Sequence, residues 1–436
     1  MKKTMKILLV SFLCLLSLPG CGTKSTSSGD TIEAKTYPFR IQLSSTLEVT
    51  ESEINLYFVN GGDVPYVALS EYMPFVGSIY EDPDINIPAA KYEITHPSEH
   101  HTLVTRTDNS SFMDIDTDKD TIEFVGMDYF TSVPGSSLML SVITLSENGR
   151  GGASNLLQDA GTSYDRSGNS LITFDLSEYM IDLIEKDGEC YIPLQTVNDL
   201  LVSQNYVFVV FNQQEVIASG YSADLINDMY KAPTGTMSEG FANFNYNELR
   251  FMLDSFYGLK PEHDIDNFGD FFASTDLLLP LSGTDPVAFD KAVRKLTLKY
   301  FDDGHSGLLM NSYLSGEAQP GDTDALLEIL KDSGTSSTAL SGDIMRIKSI
   351  RENYYTDRPD FAYLSTESPW NYEEYGDTAI ITFDSFAVNK QDYYKEADLA
   401  NPSDTIELVS YAQSQITRED SPIKKVVVDL SCNTGG

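Results

Sequence analysis

The chain has 436 residues, 29 of them basic and 66 acidic, for a net charge of −37. So acidic a surface repels phosphate backbones and anionic lipid headgroups, which excludes nucleic acid and a bare anionic membrane as direct partners. Hydrophobic residues make up 41% of the chain and aromatic ones 11%, ample for packed cores, and the length suits two or three domains.

The first element is an export signal. Lys2, Lys3 and Lys6 supply a positive start, residues 7–18 an apolar run, and Gly20, Cys21 and Gly22 a small-residue end. The apolar run is shorter than the ~20 residues a spanning helix needs, so it reads as a signal rather than an anchor. Its end, Leu18-Pro19-Gly20-Cys21, resembles the lipobox of bacterial lipoproteins. That resemblance implies cleavage before Cys21, a lipid on its sulfur, and residence on the outer face of the bacterial cell membrane, held there through the lipid alone. The alternative is an ordinary cleaved signal followed by an unrelated cysteine. Residues 1–20 are thus expected to be signal and 21–35 a flexible tether of small polar residues. Cys14 falls inside the signal, which leaves Cys190 and Cys432 as one potential disulfide that their positions do not determine. No Cys/His spacing points to zinc.

Residues 36–219 read as short strands separated by turns. Examples are 54–59 before Asn60-Gly61-Gly62, 171–174, and 206–211 before Asn212-Gln213-Gln214. Two stretches look alike: Val64-Pro65-Tyr66-Val67-Ala68-Leu69 and Cys190-Tyr191-Ile192-Pro193-Leu194. Each leads into a helix-like run and then a strand pair. The pattern is similar to the α+β module called the copper amine oxidase N-terminal-like domain. That name implies no copper, and such a module serves as a surface or spacer unit. Residues 146–168, rich in Gly, Ser and Asn, form a long interrupting loop. Residues 36–219 are expected to fold apart from the remainder.

The texture changes near Tyr221. Leu249, Met252, Leu253 and Phe256 recur at helical spacing, with Gly258 as the closing glycine. Asp285-Pro286 opens another helix, whose apolar stripe is Phe289, Val293, Leu296 and Tyr300. These residues place a helical subdomain at 220–310. After a loop at 333–342 come strand-like runs at 378–383 and 425–430 with a helix-like run at 405–416 between them. Strand, helix, strand with a Val-Val-Val run expected to be buried describes a βαβ unit.

Three segments carry the chemistry: Asp302-Asp303-Gly304-His305-Ser306-Gly307, Gly376 through Phe386 with its Ser385-Phe386 end, and Val426-Val427-Val428-Asp429-Leu430-Ser431-Cys432-Asn433-Thr434-Gly435-Gly436. In this order they resemble the tail-specific (C-terminal processing) serine peptidases and their tricorn-like relatives, over residues 243–436. The resemblance implies an α+β N-terminal module followed by a helical subdomain and, at 311–436, an incomplete α/β peptidase domain. It implies hydrolysis of peptide bonds through an acyl-enzyme, a protein or peptide substrate, and no cofactor. Gly435 and Gly436 would supply oxyanion donors; glycine lets backbone N–H groups approach a ligand, although a plain tight turn is the commoner use of the pair. Asp429 would hold that turn. Ser431 stands where the family carries arginine, so any charge pair made by that arginine is missing. His305 would be the general base in a Ser-His-Glu arrangement, since imidazole titrates near working pH, or a structural turn residue in a Ser-Lys enzyme. The family's serine lies beyond the Gly-Gly pair, so the chain is expected to be a truncated form lacking its nucleophile. The rival expectation is a non-catalytic surface binding protein with a peptidase-like remnant.

Two acidic or histidine-rich groups read as structural. Asp114, Asp116, Asp118 and Asp120 alternate like the start of a calcium loop, but Lys119 stands where glycine is needed, which favours solvated acids in a strand-turn. His96, His100 and His101 surround Pro97-Ser98-Glu99, the composition of an exposed loop.

Overall fold

The computed structural model describes residues 31–81, 88–131, 171–220, 224–231, 234–301, 306–308, 310–316, 346–347, 349–350, 371–386 and 405–433. The signal with Cys21, the loops at 146–168 and 333–342, and Trp370 lie outside these residues. The described residues form a mixed α+β arrangement with three sheets.

Strand β1 (Ile32–Gln42) begins inside the stretch expected to be tether, because it has a partner along its whole length. It pairs antiparallel with β2 (Thr50–Val59) from Ile32 opposite Val59 to Ile41 opposite Thr50. The Asn60-Gly61 corner reaches the same end: Asn60 and Gly61 adopt positive φ, and the Thr31 N–H donates to Asn60 Oδ1 at 3.1 Å. Strand β3 (Tyr66–Ala68) lies next and leads into α1 (Leu69–Ile79). Strands β4 (Tyr92–Ser98), β5 (His101–Arg106), β6 (Phe112–Asp116), β7 (Thr121–Val125) and β8 (Leu171–Asp175) form a separate five-stranded antiparallel meander. Between β7 and β8 sits the short α2 (Met127–Phe130).

The chain then returns to the first sheet with β9 (Ile184–Lys186) and β10 (Glu189–Pro193), continues through α3 (Leu194–Leu201), and adds β11 (Val207–Phe211) and β12 (Val216–Gly220). The order across this sheet is β11-β12-β1-β2-β3-β10-β9, with β12 parallel to β1. The two look-alike segments are therefore neighbours: β3 and β10 run antiparallel with Val67 opposite Ile192, and each feeds a helix. Each helix is followed by a strand pair, β4–β5 after α1 and β11–β12 after α3. One apolar core joins both sheets and both helices. It takes Leu56 and Phe58 from β2, Val104, Met113, Ile122 and Phe124 from the meander, and Leu69, Val76, Val197 and Leu201 from the helices. Alternation along β5 to β7 sends every second residue inward, as a half-buried sheet requires. Gly77 lets α1 come close to the segment before β4: the Ala90 N–H donates to the Gly77 carbonyl at 3.0 Å, and a Cβ at residue 77 would stand 2.2 Å from the Ala90 oxygen.

Helix α4 (Glu239–Phe256) opens on Ser238, whose Oγ accepts from the Phe241 N–H at 3.0 Å and also contacts Asp63 of the first module. It does not close on Gly258. The capping residue is Tyr257, in an extended conformation, with its N–H on the Leu253 carbonyl and its ring stacked 3.9 Å from that of Phe301. Gly258 follows directly after that cap and does not adopt positive φ. One face of α4 sends Phe244 and Phe251 into the first core, while Tyr246, Leu249 and Leu253 pack on a second. That second core is built with α5 (Phe268–Ser274), α6 (Leu278–Leu281) and α7 (Pro286–Lys295). The packing does not part at residue 219, since α4 lies in both cores and the 3₁₀ turn Asp224–Lys231 covers Ile217 of β12. Helix α7 starts as its sequence dictates: Asp285 accepts from the N–H groups of Val287 and Ala288, and Pro286 occupies the first turn. It continues as a π-helical turn, Leu296–Phe301.

The third sheet is β13 (Asn371–Tyr375), β14 (Thr378–Thr382) and β15 (Lys425–Asp429). Strands β14 and β15 are parallel and joined through α8 (Thr405–Ile416), the βαβ order expected from the sequence. The Val-Val-Val run is not buried. Val426, Val427 and Val428 are 49%, 47% and 52% exposed, because among the described residues β15 is paired on one side only and α8 places Leu408 and Ala412 against Ile381 and Phe383 instead. Cys190 and Cys432 are both buried and form no disulfide. Among the described residues no helix is long and apolar enough to cross a membrane.

Candidate active site

The carboxyl ends of parallel strands are where open α/β sheets collect their ligands, since strand ends and helix starts leave backbone groups unpaired there. In the third sheet that edge carries Asp384, Ser385 and Phe386 after β14, and Leu430 to Asn433 after β15. The turn after β15 is held by its own side chains. Asp429 Oδ1 accepts from the Ser431 N–H at 3.0 Å and from Ser431 Oγ at 2.6 Å, the local bond that aspartate makes two residues ahead. The Asn433 N–H donates to the Leu430 carbonyl, and Asn433 Nδ2 reaches across to the Phe383 carbonyl at 3.1 Å. Asn433 thereby ties the turn to the end of β14, and Phe383 N–H prolongs the ladder by donating to the Asp429 carbonyl. Thr405 Oγ1 donates to the Ser385 carbonyl, fixing the start of α8 at the same edge. Cys432 and Phe383 are buried beneath the turn.

Residues 302–305 lie between two anchored segments. Before them, Phe301 is buried against Tyr257 and Phe268. After them, Arg294 Nη2 of α7 donates to Asn311 Oδ1 at 2.7 Å and the Tyr230 hydroxyl donates to the Asn311 carbonyl at 2.6 Å. Both oxygens of Asp290 accept from the Ser312 N–H at 3.0 Å. Burial pushes the Asp290 carboxyl up to about 6, against the opposing pull of the Ser312 hydrogen bond. His305, Gly435, Gly436 and Cys21, the four residues singled out by the sequence, lie outside the described residues. What is described is the frame on either side of His305 and the turn before Gly435 and Gly436.

The two groups read as structural are more ordered than their composition suggested. His96 and His101 sit in the strands β4 and β5, not in an exposed loop, with His100 at the corner between them. His96 Nδ1 lies 3.1 Å from Thr102 Oγ1, and His101 lies 3.3 Å from Asp114 and 3.5 Å from Asp116. Asp116 and Asp120 are buried rather than solvated. Asp116 accepts from the Asp118 and Lys119 N–H groups and from Lys119 Nζ. Burial opposes its charge, but the Lys119 bonds outweigh that and hold its carboxyl below the usual range. Asp120 Oδ1 accepts from the Leu183 N–H at 2.7 Å, joining the meander to the segment before β9. Among the described residues no three His, Cys, Asp or Glu side chains are grouped to hold a metal ion.

Sequence reasoning did not single out the carboxyl pair of Asp199 on α3 and Glu248 on α4, the guanidinium of Arg106, or Asp290. Glutamate 248 sits one residue before the expected apolar stripe, which is the only local sign that it faces inward. A comparison of the chain with protein-family models, with curated proteins and with solved structures finds no match.

Proposed function

We propose that this chain belongs to an exported, lipid-anchored serine-type peptidase of the tail-specific family, with residues 311–436 forming the first part of its α/β domain. The observation that carries the reading is the parallel β14–α8–β15 unit, whose carboxyl edge brings Ser385-Phe386 beside the Asp429–Asn433 turn that leads to Gly435 and Gly436. A buried-rooted, side-chain-braced turn at that edge suits an oxyanion site, because donors that do not reorganise stabilise developing charge most. In this reading His305 takes the proton from a serine as that serine attacks the peptide carbonyl, and returns it to the leaving amine. The seven-stranded sheet and its meander act as a spacer between the lipid on Cys21 and the chemistry.

The activity is tested by turnover of an unstructured protein substrate, measured for residues 1–436 and for a chain continued past residue 436. Hydrolysis by the longer chain alone is expected. Hydrolysis by residues 1–436 would place the nucleophile within them, and none by either chain would favour the non-catalytic surface protein. Anchoring is tested separately: labelled palmitate should enter the wild-type protein in bacterial cells and not Cys21→Ser. Equal labelling of the two would remove the lipid from the proposal.

A further inference from the structure

Helix α4 touches both cores, and at the point where it crosses α3 two acidic side chains meet. Glu248 is 3% exposed, and its Oε2 accepts from Thr196 Oγ1 of α3 at 2.7 Å. Asp199 Oδ1, one turn along α3, accepts from Gln195 Nε2 at 2.7 Å. The second oxygen of Glu248 is buried and accepts no N–H or O–H. The two carboxyl groups are within hydrogen-bonding reach of each other. Two carboxylates cannot share a hydrogen bond unless one carries a proton, and a buried acceptor without a donor is destabilising. A single proton between Asp199 and Glu248 removes both difficulties.

Among the described residues no cation bridges to either carboxyl. On α4, Arg250 points its guanidinium at the rings of Tyr179 (5.4 Å) and Tyr246 (5.7 Å) and hydrogen-bonds Asn247. Asp254, further along, accepts from the Phe268 N–H and pairs with Lys260. From the 3₁₀ turn Leu176–Tyr179 the Tyr179 phenol faces Asp254 at 3.4 Å. From the turn Ser203–Asn205, Ser203 Oγ donates to the Asp199 carbonyl. The buried residues of β10 and β11, which pack on α3, are Cys190, Ile192, Val207 and Val209, and burial pushes the Cys190 thiol up to about 12. On α5 the acid is Asp270, which is occupied by Asn267.

We infer that Asp199 and Glu248 form a proton-dependent clasp between α3 and α4, closed while the two carboxyls share one proton and loosened when both ionise. Because α4 also builds the second core with α5 to α7, the clasp governs how firmly the helical segment is held to the first module. The direction follows from the charges. Burial raises both carboxyls above the usual range; the Asp199 charge adds to this for Glu248, whereas the bonds to Gln195 and Glu248 pull against it for Asp199, which stands at about 6. The closed state therefore holds a proton that the opened state releases. Its contribution is complete below the ordinary carboxylate range, near pH 4, and fades as pH rises through about 6.

Hydrogen exchange of the α4 amides in the full chain, corrected for intrinsic rates at pH 5 and pH 8, reads the clasp, with α1 amides as reference. The α4 opening constant should rise on the order of ten-fold or more between the two pH values while α1 stays level, since each unit of pKa shift is worth up to ten-fold. Glu248→Gln and Asp199→Asn each put an uncharged donor in place of the shared proton, and each should flatten the α4 response. Either variant suffices if the other fails to fold. Equal α4 protection of the wild type at pH 5 and pH 8 would overturn the clasp. So would a folded variant that keeps the wild-type pH response.

Discussion

Replacing His305 by alanine, in a chain that carries the proposed peptidase activity, is expected to lower turnover on the order of 10⁴-fold or more, as expected when a triad base is lost. A serine hydroxyl is a weak nucleophile until a neighbouring base accepts its proton, so the attacking step loses its driving partner while binding is spared. The described segments on either side of residues 302–305 have holds of their own: Phe301 is locked in the second core, and Asn311 and Ser312 are held by Arg294, Tyr230 and Asp290 of neighbouring elements. Turnover of an unstructured protein, with the thermal midpoint measured alongside, checks this. Near-normal turnover would transfer the base role to a lysine and leave His305 as a turn residue. A large drop in the midpoint would instead mark it as structural.

The largest expected loss of stability comes from Arg106→Leu. Arg106 ends β5 with 0% exposure, which for a guanidinium is tolerable only because it is answered on several sides. Its Nε and Nη2 donate to Asp108 at 2.8 and 3.1 Å, and its Nη1 to the carbonyls of Tyr129 and Phe130 at 2.8 and 3.1 Å. The ring of Tyr80 lies 5.4 Å away beneath it. Arg106 is thus the joint between the meander, α2 and α1. Leucine fills part of the volume but takes both guanidinium bonds from Asp108 and one donor from each inward carbonyl, which keep Asn109 Nδ2 on Tyr129 and the Tyr92 hydroxyl on Phe130, and a loss of roughly 1–3 kcal/mol is expected. Lysine should not restore it, because a single ammonium cannot reproduce the fork that spans Asp108 and two carbonyls. Urea unfolding midpoints of the wild type and the two variants measure this. A loss below about 1 kcal/mol for leucine would mean that water replaces the guanidinium, and the joint would be ordinary surface.

Local chemistry was legible in the sequence wherever it is self-contained. Asp285-Pro286 could be read as a helix start because the capping bond and the proline's fixed φ involve only neighbours in the chain. The bounds of α8 coincide with the apolar run at 405–416, and the order β14–α8–β15 follows from periodicity alone. The likeness of the segments at residues 64–69 and 190–194 was visible as text. That they lie side by side, Val67 opposite Ile192, was not, because pairing is a choice among partners. The motif segments were recognisable only through resemblance to a family. The bonds that brace their turn, Asp429 to Ser431 and Asn433 to Phe383, required the fold.

By itself the sequence determined the three-part order of basic start, apolar run and small-residue end, the acidic charge, the strand-and-turn texture of the first half, and the helix caps of the second. These rest on charge count, hydrophobic period and bonds spanning a few residues, none of which needs a distant partner. Only the tertiary structure decided which apolar and polar groups are covered. The valines of β15 have a core strand's composition yet lie half exposed, because α8 covers β13 and β14 instead. Conversely Arg106, Asp120 and Glu248, surface residues by type, are buried because donors or acceptors far along the chain arrive to meet them. Hydropathy states what burial would be worth, and the fold supplies the neighbour that makes it happen.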